Sequence, residues 1–147
     1  MSDTPTDYRF NDQIGHLLRR AYQRHVAIFQ QAVPDAQLTA AQFVVLCTLR
    51  DRGTCRIPAI VEATAIDDAS VRGIVERLKW RGLLTATHEP GDARRMEVAL
   101  TPDGRALVEQ TVPFAREISE RTFGDLTADE RSTIVALLRR LSGPAAS

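Results

Sequence analysis

Residues 67–101 read DDASVRGIVERLKWRGLLTATHEPGDARRMEVALT, and the fold is decided there. Val71, Ile74, Val75 and Leu78 recur at spacings of three and four, which puts them on one face of a helix. Asp67 or Asp68 can cap that helix, and Gly82 closes it. Leu83–His88 and Met96–Leu100 are strand-like runs. Between them, Glu89–Arg95 carries Pro-Gly turn chemistry and the pair Arg94-Arg95. The stretch therefore predicts a short helix followed by a hairpin with a basic tip.

Working outward toward the N-terminus, Pro58 suits a first helical turn, and a small helix follows over Ala59–Thr64. A three-residue turn, Ala65-Ile66-Asp67, joins it to the helix above. Two short helices joined so tightly are a helix-turn-helix signature, with the second helix presented outward. Before them, Thr39 and Gln42 have the spacing of a capping box. It opens a helix from 40 to 51 with Phe43, Val44, Leu46, Cys47 and Leu49 inward, stopped by Arg52-Gly53. Thr54–Ile57 has room for a short strand. Residues 9–32 carry a long helical pattern, with Ile14, Leu17, Leu18, Ala21, Tyr22, His25, Ile28 and Phe29 in one stripe. Twenty-four residues give about 36 Å of helix, too long for one small core and suited to meeting a second subunit. Residues 1–8 read as a loose tail.

Toward the C-terminus, Thr101-Pro102-Asp103 is a helix start: a cap, a proline and an acid in the first turn. Ala106, Leu107, Val108, Val112, Ala115 and Ile118 form that helix's apolar side, and Pro113 should kink or interrupt it. Thr127 and Glu130 make a second capping box before Ile134, Val135, Leu137, Leu138 and Leu141. Gly143-Pro144 ends the last helix. The order is helix, helix, helix, helix, hairpin, helix, helix. The fold class is mainly α with a small β-hairpin wing: a winged helix-turn-helix with a helical dimerisation region. Residues 1–147 form one domain, with dimerisation helices over 9–34 and 103–142 and a DNA-binding lobe over 38–101.

The 147 residues are about one domain's worth, and 44% hydrophobic residues can build a core. Nineteen Lys and Arg balance nineteen Asp and Glu, so any attraction to nucleic acid must be local. Residues 72–95 supply it: Arg72, Arg77, Lys79, Arg81, Arg94 and Arg95 stand against Glu76, Glu89 and Asp92. No apolar run approaches the roughly 18 residues of a membrane span, and the start lacks a secretion signal, so a cytoplasmic protein is expected. Cys47 and Cys55 make neither a disulfide framework nor a zinc motif. No nucleophile elbow, zinc-protease motif, phosphate loop or dinucleotide fingerprint is present. Neither a catalytic site, a metal nor a cofactor is expected.

The segments LTAAQFVVLCTL, VERLKWRGLL and GDARRMEVALTPDGRAL, in that order, resemble the MarR family of bacterial transcriptional regulators over nearly the whole chain. Asp92, Arg94, Leu100-Thr101 and Gly104 fall in register with the family's wing. The resemblance implies a homodimer on a near-palindromic DNA operator, usually a repressor. It also implies release from DNA by a small aromatic, anionic molecule bound between the DNA-binding lobe and the dimer helices. The first helix, NDQIGHLLRRAYQRHVAIF, is similar to members that govern breakdown of hydroxylated benzoates, cinnamates or nicotinates.

In that frame Ser70, Arg72, Gly73, Glu76 and Arg77 project from the outward face of the recognition helix toward the major groove. Arg72 can read guanine through paired hydrogen bonds; the plainer reading is a solvated face with an Arg72–Glu76 pair. Gly73 departs from the family, where Arg is common. Arg94 and Arg95 suit the minor groove or its phosphates, with Asp92 orienting Arg94. Lys79 and Arg81 suit phosphate or water. For the effector, His25 with Arg19 or Arg20 can hold a carboxylate. His16, Phe43, Cys47 and Phe114 are further ligand candidates, each of which also reads as ordinary core or surface. Two alternatives stand beside this one. A cysteine-based redox sensor would use Cys47 or Cys55. A helical protein-interaction module without DNA binding would leave the basic wing unexplained.

Overall fold

The computed structural model describes residues 7–143, with the side chains of residues 93 and 94 outside the described part. Most of the expected N-terminal tail, the Pro144 stop and the side-chain role given to Arg94 therefore lie outside the described residues. A 3-10 turn, Phe10–Asp12, precedes α1 (Ile14–Ala32). Then come α2 (Ala40–Arg52), β1 (Cys55–Arg56), α3 (Ile57–Thr64) and α4 (Asp68–Trp80). The wing strands β2 (Leu84–Glu89) and β3 (Asp92–Leu100) lead into α5 (Pro102–Phe123) and α6 (Ala128–Leu141).

Local chemistry sets most boundaries. The Thr39 hydroxyl accepts from the Gln42 amide, and the Gln42 side chain accepts from the Thr39 amide. Thr127 and Glu130 repeat this at α6. Gly53 ends α2 at φ 78°, a left-handed conformation that glycine adopts without a Cβ clash. The long pattern at the N-terminus is divided: Gln13 is extended, so α1 starts at Ile14 and is about 28 Å long rather than 36 Å. Pro113 does not interrupt α5, which is continuous from Pro102 to Phe123.

The sheet order is β1-β3-β2, antiparallel throughout. Cys55 faces Val98 across one pair, and Ala86 faces Val98 across the other. The turn is tighter than the sequence suggests. Pro90 and Gly91 alone separate the strands, and a bulge at His88/Glu89 brings Glu89 opposite Asp92. Arg95 thus sits on a strand just past the turn rather than in a long loop tip.

One core joins α2, α3, α4 and the sheet to α5: Leu38, Leu46, Leu49, Ile60, Val71, Val75, Leu78, Val98 and Val108 are fully buried. In α2 the inward face differs from the expected one. Val45 is buried and Val44 is 41% exposed. With apolar residues on several sides of AAQFVVLCTL, periodicity alone could not orient the helix. Gly104 lets α5 begin hard against the wing: a Cβ there would collide with the backbone oxygen of Leu83. The stem is built differently. α6 contributes no buried residue. At the α5–α6 corner, Arg131 bonds the Leu126 and Gly124 carbonyls, pairs with Glu120 and lies over Phe123. No helix among the described residues is long and apolar enough to cross a membrane.

Candidate nucleic-acid interface

α4 presents its N-terminal half outward because Val71, Val75 and Leu78 anchor the opposite face. Asp67 caps it, accepting from both the Ser70 amide (3.0 Å) and the Ser70 hydroxyl (2.7 Å). Those bonds hold the Asp67 carboxyl below the usual aspartate range, the Ser70 hydroxyl contributing most. The cap therefore uses the hydroxyl proton of Ser70 and leaves its oxygen lone pairs as acceptors. Arg72 is exposed, and its Nε donates to Asp68 at 2.7 Å, not to Glu76. This fixes one edge of the guanidinium and leaves its Nη groups free to meet a paired acceptor. Beside it, Gly73 opens space: a Cβ there would meet nothing within 4 Å. Glu76 and Arg77 lie one to two turns further on, also exposed.

The wing adds Arg95, whose Nε stands 3.4 Å from Asp92 and whose Nη1 stands 3.6 Å from Glu89. These loose, exposed pairs orient a cation without neutralising it strongly. Arg81 is different from the expectation of a phosphate or solvent contact. Its Nη2 pairs with Asp35 in the α1–α2 connection, tying the exit of α4 to the end of α1. Burial alone would raise the Asp35 carboxyl. The hydrogen bonds from Arg81 and from the Gln37 amide outweigh it and hold Asp35 below its ordinary value.

A second feature lies where α1, α2 and α5 meet. A recess of about 150 Å³ is lined by His25, Phe29, Phe43, Val44, Ile118 and Ser119, with two alanines. A cavity of about that size holds a single benzene-sized ring. Of the ligand candidates read from the sequence, His25 and Phe43 line it. Cys47 and Phe114 instead pack partly buried against the core. His16 sits edge-on to Phe10 (5.1 Å). Arg19 and Arg20 are exposed on α1 and do not line the recess. Phe29, Val44, Ile118, Ser119 and the alanines Ala40 and Ala115 were missed; Val44 could have been found only by orienting α2 correctly.

The state of His25 follows from its bonds. Its Nδ1 is 2.9 Å from the Thr122 hydroxyl oxygen, and that hydroxyl already donates to the Ile118 carbonyl at 2.8 Å. Thr122 has one hydroxyl proton, so Nδ1 must carry the proton it donates. Burial lowers the His25 pKa, which favours the neutral ring. Nε2 is then an acceptor, suited to a hydroxyl or N–H rather than to a carboxylate. Arg24 next to it bonds the Thr122 and Arg121 carbonyls at the end of α5. The cysteines are poor nucleophiles: burial raises both thiols, and Cys55 donates to the Gly53 carbonyl.

Comparison with known proteins gives consistent matches. The MarR family model matches residues 38–96. The HTH-type transcriptional repressor NicR of Pseudomonas putida is 52% identical over 136 residues, covering 92% of this chain and 86% of that protein. A solved structure describes regulation of DNA binding of Bordetella bronchiseptica BpsR by 6-hydroxynicotinic acid. It is 61% identical, with a TM-score of 0.87, covering 93% of this chain and 98% of that one. A mutant of Escherichia coli MarR complexed with operator DNA superposes with a TM-score of 0.79 at 27% identity, covering 92% and 99%.

Proposed function

The chain belongs to the MarR family of winged helix-turn-helix transcriptional regulators, and on that premise we propose that it works as a homodimeric repressor whose two copies of α4 and the wing engage a near-palindromic operator. The observation that carries this reading is the uncovered stem. Ile14, Leu17, Leu18 and Tyr22 of α1 and Ile134, Leu137, Leu138 and Leu141 of α6 are all exposed on the isolated subunit. Full burial of an exposed apolar side chain is worth about 1.5–3 kcal/mol; these side chains are 38–64% exposed, so covering each returns roughly half of that, and all eight together still favour a second copy on both helices. In this reading residues 9–34 and 103–142 dimerise, and residues 38–101 read DNA. Ser70, Arg72, Gly73, Glu76 and Arg77 approach the major groove, and Asp92, Arg94 and Arg95 the minor groove or its phosphates.

The effector in this reading is a single-ring hydroxylated aromatic acid of the 6-hydroxynicotinate type, bound in the recess beside His25. The size of the recess and the acceptor Nε2 of His25 support that class, as does the similarity to BpsR. No arginine of the same subunit lines the recess among the described residues. The acid's carboxylate is assigned to Arg19 or Arg20 of the second copy, exposed on α1. A gel shift with DNA from the chain's own upstream region tests both parts. Binding at low salt, release by 6-hydroxynicotinate but not by benzoate, and loss of release in His25→Ala are expected. Absence of any DNA binding would favour a protein-interaction module. Release by peroxide, reversed by reductant, would favour a redox sensor.

A further inference from the structure

Within the stem, Arg24 and His25 of α1 bond the end of α5. Within the head, the Thr101 hydroxyl donates to the Gly82 carbonyl at the base of the wing. Arg81 crosses from one part to the other. It follows the last residue of α4, and Gly82 after it turns into the wing at φ 75°. Both DNA-reading parts therefore leave from Arg81, and its guanidinium reaches Asp35 just past the end of α1.

The Asp35 end of this tie is itself held. Its Oδ2 accepts from Arg81, while its Oδ1 accepts from the Gln37 amide at 2.9 Å. Gln30, near the end of α1, donates to the Ala36 carbonyl at 2.7 Å, and Leu38 is fully buried. The connection is thus fastened to α1 on one side and to the core on the other. The side chains of Arg81 and Asp35 are 27% and 21% exposed, so salt screens this pair less than a surface pair. The buried Nη1 of Arg81 has no hydrogen-bond partner among the described residues, so the guanidinium depends on Asp35 for its anchor.

We propose that the Arg81–Asp35 pair determines half-site spacing: it holds the reading head at one angle to the stem, so that a dimer accepts one separation of half-sites and rejects others. The inference rests on the homodimer reading above, in which α1 lies at the two-fold axis. Adding one base pair between half-sites moves them apart by roughly 3.4 Å and turns one against the other by about 35°. A head tied to α1 cannot follow that change, and a dimer that engages one half-site loses its avidity. A head held by apolar packing alone can tilt toward the displaced site.

Duplexes recovered by the wild-type protein from a random pool define its two half-sites and their spacing. Wild type should then lose at least about tenfold in affinity when one base pair is inserted or removed between them. Asp35→Asn removes the charge but keeps the turn, since its amide oxygen can accept from Gln37. It should bind a duplex carrying a single half-site as wild type does, yet lose only about threefold on the altered spacings. Arg81→Gln should relax the spacing equally, and the double variant no further, as for two ends of one contact. The double variant also removes the unpaired buried charge that could unfold a single one. A wild-type spacing penalty in the folded double variant would overturn the proposal, as would single effects that multiply in the double. Recovery of lone half-sites, or of no DNA, by wild type would overturn the homodimer reading and this inference with it. Two half-sites with an unmoved penalty would sink this inference alone.

Discussion

Under the proposed function, Arg72 is the residue whose chemistry would separate sequence reading from general attraction. Asp68 holds its Nε, which restrains the side chain before DNA arrives and leaves the paired Nη donors for a base edge. Arg72→Ala should change the preference among base-substituted operators by about 1–3 kcal/mol at one position. Competition binding checks this, and equal weakening on every sequence would make Arg72 a phosphate contact. His25 gives a pH dependence. Its pKa is lowered by burial from an ordinary 6.5, so the unfolded chain takes up a proton first as pH falls. Folding stability should drop as pH falls below about 6.5 toward the folded-state value and level off below it. Urea unfolding across pH 5–8 should lose this slope, or most of it, in His25→Gln. An unchanged slope would assign the effect to other groups.

At the scale of elements, the parts legible in the sequence were those settled within one helical turn. Thr39 with Gln42 and Thr127 with Glu130 are three residues apart, so their types and spacing state the bond directly, whereas the cap of α4 stood open between Asp67 and Asp68 until the structure gave it to Asp67. What was illegible depended on distant partners. Arg81 meets Asp35 forty-six positions away, and no local pattern announces that pair. The inward turn of Val45 depends on what surrounds α2, not on α2 itself. Of the residues proposed to read DNA, Ser70 and Arg72 were legible because they follow a recognisable helix start. The lining of the small recess was not, because it comes from three helices. Gly104 joins the two cases: its motif is local, but its reason is the Leu83 backbone. Gly104→Ala should destabilise the protein by about 1–3 kcal/mol through overpacking where α5 leaves the wing. Thermal unfolding reads it, and an unaltered midpoint would mean that α5 can shift without cost.

For the whole molecule, the proposed role of the stem is to turn one reading head into two. α6 leaves Leu137 and Leu141 exposed and reaches the rest of its subunit through the Arg131 corner. The double variant Leu137→Glu with Leu141→Glu should therefore yield a folded monomer by sedimentation and circular dichroism, with operator affinity reduced at least about a hundredfold. Retained dimers would place the interface elsewhere. The most direct test of the central claim is a hydroxyl-radical footprint of the protein on DNA that it binds, beginning with the region upstream of its own coding sequence. Two protected half-sites related by two-fold symmetry, roughly 10–10.5 base pairs centre to centre, are predicted. Protection of a single half-site by one copy, at saturation, would contradict it.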